Sequence, residues 1–164
     1  MLGPDIAFAV ALLAVLVAIA VVDLRTLIIP DALNAVLAAL GLGWAWLAAG
    51  GPPLAQIAFA AATFAFFWLM REGFLAVRKV TGLGFGDVKM AGACALWFSP
   101  WNLPLFLFLT AISALLYVAL RASVTGRLDR SARVPFGPFL GFGLFATWLI
   151  EWSDIPTFIP DRGF

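Results

Sequence analysis

Six stretches of this chain, at 6–22, 33–49, 54–70, 90–98, 103–120 and 134–150, run apolar and without a charged residue. A helix crossing ~30 Å of hydrocarbon needs about 20 such residues, and five of the six approach that length with their flanks. With 64% hydrophobic and 12% charged residues, the chain exceeds the apolar share of soluble domains. Its core must form helix against helix within the bilayer. The expected fold is all-α: a polytopic membrane bundle of about six transmembrane helices, forming one domain over residues 1–164. The N-terminus lacks the positive region of a cleavable signal, so the first run is expected to stay in the mature protein.

The fourth stretch is the exception. Counted from Asp87, its about 12 residues reach only ~18 Å. Either the helix continues through Ser99-Pro100-Trp101, or the Gly-rich loop before it is re-entrant.

The loops divide by charge. Arg25 follows the first run, Arg71, Arg78, Lys79 and Lys89 lie between the third and fourth, and Arg121, Arg127, Arg130 and Arg133 lie between the fifth and sixth. Of the 10 basic residues, only Arg162 falls on the other side. The positive-inside rule makes the basic loops cytoplasmic and puts both termini outside. Trp44, Trp46, Trp97, Trp101, Trp148 and Trp152 then fall towards the outer interface and read as an aromatic belt. Gly137 and Gly141 form a G-x-x-x-G pair, which permits close approach of a neighbouring helix.

Several classes of function drop out. A net charge of +1, with the basic residues spread over loops, does not suit nucleic acid. Those residues are better matched to membrane lipid headgroups. Histidine is absent and Cys94 is the single cysteine, which excludes Cys/His zinc sites and any imidazole base. No metal or cofactor is expected, and the acid chemistry available is carboxylate chemistry.

Of the 9 acidic residues, Asp5, Glu72, Asp129, Glu151, Asp154 and Asp161 fall in loops and tails where solvation is the default. Asp23, Asp31 and Asp87 remain. Pro30 interrupts any helix continuing from the first run, and Asp31 is placed to cap the second. Asp23 follows an unbroken apolar run, and Asp87 closes Gly82-Leu83-Gly84-Phe85-Gly86. Ionisable groups at membrane depth are costly and mark functional sites. Two carboxylates at one site share a proton, so that one activates water while the other polarises a scissile carbonyl. The glycines before Asp87 let a peptide lie close to the backbone. Helix dipoles favour charge on Asp87, at the start of a helix, and a proton on Asp23, near the end of one.

Three blocks carry a family resemblance. Asp23-Leu24-Arg25-Thr26-Leu27-Ile28-Ile29-Pro30-Asp31-Ala32-Leu33-Asn34, Gly84-Phe85-Gly86-Asp87-Val88-Lys89 and Pro135-Phe136-Gly137-Pro138-Phe139-Leu140 resemble the signature blocks of bacterial prepilin peptidases. The whole chain is similar to the short peptidases of tight-adherence and Flp-type pilus systems. The resemblance implies a multi-pass protein of the bacterial inner (plasma) membrane, with its active site facing the cytoplasm. It implies an aspartic endopeptidase that removes the basic leader of a type IV pilin-like precursor just before the precursor's hydrophobic segment. Asp23 and Asp87 match the catalytic pair. Gly84, Gly86, Lys89, Pro30, Pro135 and Gly137 match motif positions that would place the substrate. Larger members carry an extra cytoplasmic segment with paired Cys-x-x-Cys motifs linked to N-methylation; without it, neither methylation nor zinc is expected. Presenilin-like proteases share a glycine-aspartate motif but have Tyr-Asp in the partner helix, where this chain has Val22-Asp23.

Two readings from other classes compete. A small proton-coupled transporter would place its acids near the bilayer midplane and repeat its helix interruptions in two halves, whereas the acids lie at helix ends and no internal repeat is visible. A scaffold within a secretion machine leaves the Gly84-Phe85-Gly86-Asp87 loop without purpose.

Overall fold

The computed structural model describes residues 3–80, 82–125 and 134–153. The loop residues Arg127, Asp129, Arg130 and Arg133, and the tail carrying Asp154, Asp161 and Arg162, lie outside them. The described residues form six α-helices and no strand: α1 (Pro4–Thr26), α2 (Asp31–Ala49), α3 (Leu54–Arg78), α4 (Phe85–Cys94), α5 (Leu103–Thr125) and α6 (Gly137–Trp152). A 3-10 turn over Pro100–Asn102 leads into α5. Helices α1, α2, α3 and α5 are each long and apolar enough to cross a membrane.

The outer faces are as apolar as the core. Val10, Val17, Leu115 and Leu120 are exposed on α1 and α5, where a soluble protein would present polar residues. This is an integral membrane protein.

Helix α4 lies at the centre, packed on α2, α3 and α6, while α1 closes against α2 and α6, and α5 against α6. Residues 90–98 are buried without exception. Around them sit Leu12, Leu16 and Ile19 from α1, Leu37 from α2, Phe106 from α5, and Leu140, Leu144 and Trp148 from α6.

Of the two expectations for the fourth stretch, continuation through Ser99-Pro100-Trp101 is not what occurs. Helix α4 spans 10 residues, about 15 Å, and ends at Cys94 inside the bundle. An early end leaves carbonyls without helical partners, and in hydrocarbon every backbone polar group must be satisfied by protein. Two side chains answer this. Gln56 Nε2, from α3, donates to the carbonyls of Ala95 and Phe98 at 2.6 Å each. Glu151, from α6, accepts the Ser99 N–H at 3.0 Å and Asn102 Nδ2 at 2.6 Å. Glu151 is therefore a structural acceptor at the turn, not the solvated tail residue its position suggested. Glu72, likewise expected in a loop, lies within α3 and pairs with Arg71.

The early end of α4 also draws aromatic rings inward. Trp46 and Trp101 are 53% and 74% exposed, as a belt requires, but Trp97 and Trp148 are 2% and 1% exposed. Trp97 Nε1 donates to the Leu37 carbonyl at 3.1 Å, and Trp148 packs edge-on to Trp44 and Trp97. Of the expected glycine pair in α6, close approach falls on Gly137 but not on Gly141. A Cβ on Gly141 would meet only ordinary contacts, the nearest at 3.6 Å, whereas one on Gly143 would lie 3.1 Å from the Phe106 carbonyl of α5.

Replacing Gln56 by Leu leaves two buried carbonyls without a donor, at about 1–3 kcal/mol each. The variant is expected to lose about 2–4 kcal/mol in detergent unfolding; an unchanged midpoint would show that the turn is held by other means.

Candidate active site

Four helix ends meet at one end of the bundle: the C-terminus of α1 and the N-termini of α2, α4 and α6. Asp23 stands one turn before the end of α1 and is 4% exposed. Leu27 caps that helix in the left-handed region at φ 56°, its N–H donating to the Asp23 carbonyl. This turn folds Ile29 back into the core, where it is 5% exposed.

Asp23 Oδ2 accepts the Gly137 N–H at 2.8 Å. Gly137 is the first residue of α6, so one of the free donors of a helix N-terminus is spent on this carboxylate. A Cβ on Gly137 would stand 2.9 Å from Asp23 Oδ2 and 3.2 Å from Ile29 Cδ1. The glycine is what lets α6 reach the acid.

Asp87 is the third residue of α4. Its carboxylate reaches back to the N–H of the cap residue Gly84, as an acidic side chain at this position of a capping box does. A Cβ on Gly84 would lie 2.8 Å from Asp87 Oδ2. Burial pushes the Asp87 carboxyl up to about 6, and the neighbouring charge of Asp23 pushes the same way, with the Gly84 N–H opposing both. Gly86 packs directly on Ile29: a Cβ there would meet Ile29 Cβ at 3.2 Å. Ile29 thus touches the backbones that flank both acids. Asn34 Nδ2 donates to the Gly86 carbonyl at 3.3 Å, tying α2 to the same loop.

Lys89 and Asp31 lie on the rim, not between the acids. Asp31 is the first residue of α2 and makes no capping bond; Pro30 is the cap residue. The Asp31 carboxylate instead accepts Lys89 Nζ at 2.7 Å. It is drawn there because α2 and α4 start side by side. Lys89 and Arg71 also lie over the Phe85 ring, at 4.8 and 5.6 Å from its centroid. The Pro30 carbonyl accepts the N–H groups of Leu33 and Asn34, and Pro135 is buried just before α6. Sequence reasoning gave no role to Ile29 or Asn34, although both fall inside the first signature block.

The profile of the type IV leader peptidase family matches residues 10–119. A prepilin leader peptidase/N-methyltransferase of Burkholderia pseudomallei is 32% identical over 85% of this chain and 45% of its own length. One from Legionella pneumophila is 27% identical over 90% of this chain and 50% of its own. Leader peptidase HopD of Escherichia coli is 32% identical over 54% of this chain and 56% of its own. The chain spans about half the length of these relatives, and no solved structure matches it. By the span of the profile match and the identity to these relatives, the chain belongs to the type IV leader peptidase family.

Proposed function

We propose that this chain is an aspartic endopeptidase of the bacterial inner membrane that removes the basic cytoplasmic leader of type IV pilin-like precursors, with Asp23 and Asp87 as its catalytic pair. The observation that carries the reading is the meeting of helix ends around two acids, with the Gly137 N–H on Asp23 and the charge of Asp23 acting on Asp87. Membership of the family supports the substrate class. The basic loops support a site facing the cytoplasm with both termini outside. The proposal concerns cleavage.

The two acids divide the work. Asp23 Oδ2 accepts the N–H of the first residue of α6, and the dipole of that helix favours charge on Asp23. Asp87, pushed up to about 6, is the partner placed to hold the shared proton. This reverses the division expected from the dipoles of α1 and α4, because the N-terminus of α6 adds its own dipole on Asp23. Asp23 would take the proton of the attacking water while Asp87 donates to the carbonyl oxygen, and the proton then passes to the leaving amine. Gly84, Gly86 and Gly137 let Asp87, Ile29 and Asp23 pack close against the backbone, which places the acids for a peptide, and Pro30, Pro135 and Lys89 set the loops around them. The transporter reading fares worse, since both acids lie within a turn of a helix end at one end of the bundle.

Co-expression with the prepilin of the source genome tests the proposal by gel shift of the precursor. Wild type should release the leader, while Asp23→Asn and Asp87→Asn should each abolish release. Processing retained by both variants would sink the pair, and retention by one alone would remove only that acid. Gly137→Ala pushes a methyl group onto Asp23 and should lower kcat by about 10- to 100-fold, as misplacement by a fraction of an ångström does. Gly141→Ala, one turn along, meets only ordinary contacts and should cleave like wild type; equal rates for the two variants would deny Gly137 its part.

A further inference from the structure

Beside the acids lies a second feature that cleavage does not by itself explain. Helices α2 and α3 each pack along α4 but scarcely on one another, leaving a groove of about 570 Å³ between them. Its floor is Gly92 and Ala93 of α4, and its walls are Ala35 and Ala38 of α2 and Ala60 and Ala61 of α3. Alanines on both walls leave room for the backbone of another helix to come close.

The polar residues of the groove are Asp31, Asn34 and Lys89. Asn34 is 6% exposed. Its Nδ2 faces the Gly86 carbonyl, which can only accept, so the orientation of the amide is fixed. The other end of the amide, Oδ1, is buried and meets no donor among the described residues. An acceptor left open beside the loop that carries Asp87 suits the free N–H groups at the start of an incoming helix. Asp31 is 75% exposed and spends one oxygen on Lys89, so its carboxylate is open to a basic flank.

We propose that this groove seats the apolar membrane helix of the precursor, entered sideways from lipid, with the first turn of that helix on Asn34 and its basic flank at Asp31. The proposal rests on the proteolytic reading above. It deepens that reading by making the groove the ruler that sets the cut just ahead of the substrate helix. The register follows from Asn34, which holds Gly86 with one end of its amide and the substrate with the other.

Disulfide trapping tests this in the full-length chain. Cys94 is buried, so a single introduced thiol reports its own position. In the inactive Asp87→Asn background, Ala61→Cys would be paired with the source genome's prepilin carrying one cysteine at successive positions of its apolar segment. Leu115→Cys, on the lipid face of α5 at 64% exposure, is the control. Trapping at Ala61→Cys should exceed the control by roughly tenfold and recur every three to four substrate positions, as one face of a helix does. Equal trapping at both sites would mean that lipid alone fills the groove, and would overturn the proposal. In the active chain, Ala61→Trp should lower kcat/KM for the anchored precursor about tenfold, while Leu115→Trp, on the lipid face of α5, should cleave it like wild type; equal loss in both variants would overturn the proposal. If wild type cleaves but Ala61→Cys traps nothing, the groove fails and the protease stands. If wild type cleaves nothing, both fall together.

Discussion

A polar backbone group buried away from water must be met by protein, and one helix of this bundle ends where protein surrounds it. Helix α4 stops after 10 residues with protein on every side, so the carbonyls of Ala95 and Phe98 and the N–H of Ser99 must be met by side chains. Gln56 and Glu151 meet them. Had α4 been long enough to reach both surfaces, no such partners would be needed, and neither would the inward packing of Trp97 and Trp148. The shortness of α4 organises the rest. It lets one element pack on α2, α3 and α6 together, with Asp87 at the end where the other helices begin or stop.

At that end the acids are held by backbone more than by side chains. The Gly137 N–H holds Asp23 and the Gly84 N–H holds Asp87, and Ile29 packs against the two loops that bring them in. The left-handed turn at Leu27 is part of the same arrangement. Strained conformations of this kind cost about 1–3 kcal/mol and persist where the surroundings demand them. Here the demand is that Ile29 return to the core at once. A rigid cradle suits chemistry that depends on the relative position of two carboxylates. The open groove beside it is built differently, lined mostly by apolar side chains with alanines on both walls, and suits a partner that comes and goes.

Much of this was legible in the residues. The apolar runs placed all six helices, because a bilayer leaves a chain of this composition few choices. Charge asymmetry placed Asp23 and Asp87 at the same end. The end of α4 at Cys94 was not legible, since Ala95-Leu96-Trp97-Phe98 reads as helix as readily as Met90-Ala91-Gly92-Ala93. Only the partners from α3 and α6 make a turn affordable there. Gln56 and Glu151 looked ordinary for the same reason: their role is set by a neighbour distant in sequence. Asp31 misled because Pro30 before it suggests a capping residue, whereas the cap position falls on Pro30 itself and Lys89 takes the carboxylate. The dipole argument for the two acids counted the helices that carry them and not the third, α6, whose first N–H points at Asp23.

Isotope-edited infrared titration of the aspartate carboxyls in reconstituted protein tests the coupling of Asp23 and Asp87 most directly. The two should titrate as a pair, with an upper step near 6, below which Asp87 holds the proton and above which it is lost. In Asp23→Asn one of the two causes that raise Asp87 is gone, so the step should move down in pH while staying above the usual carboxylate range, because burial is the larger cause. In Asp87→Asn the paired behaviour should be lost and a single carboxyl step should remain. A step that keeps its position in Asp23→Asn would mean that the two acids do not sense one another, and the shared site would be refuted.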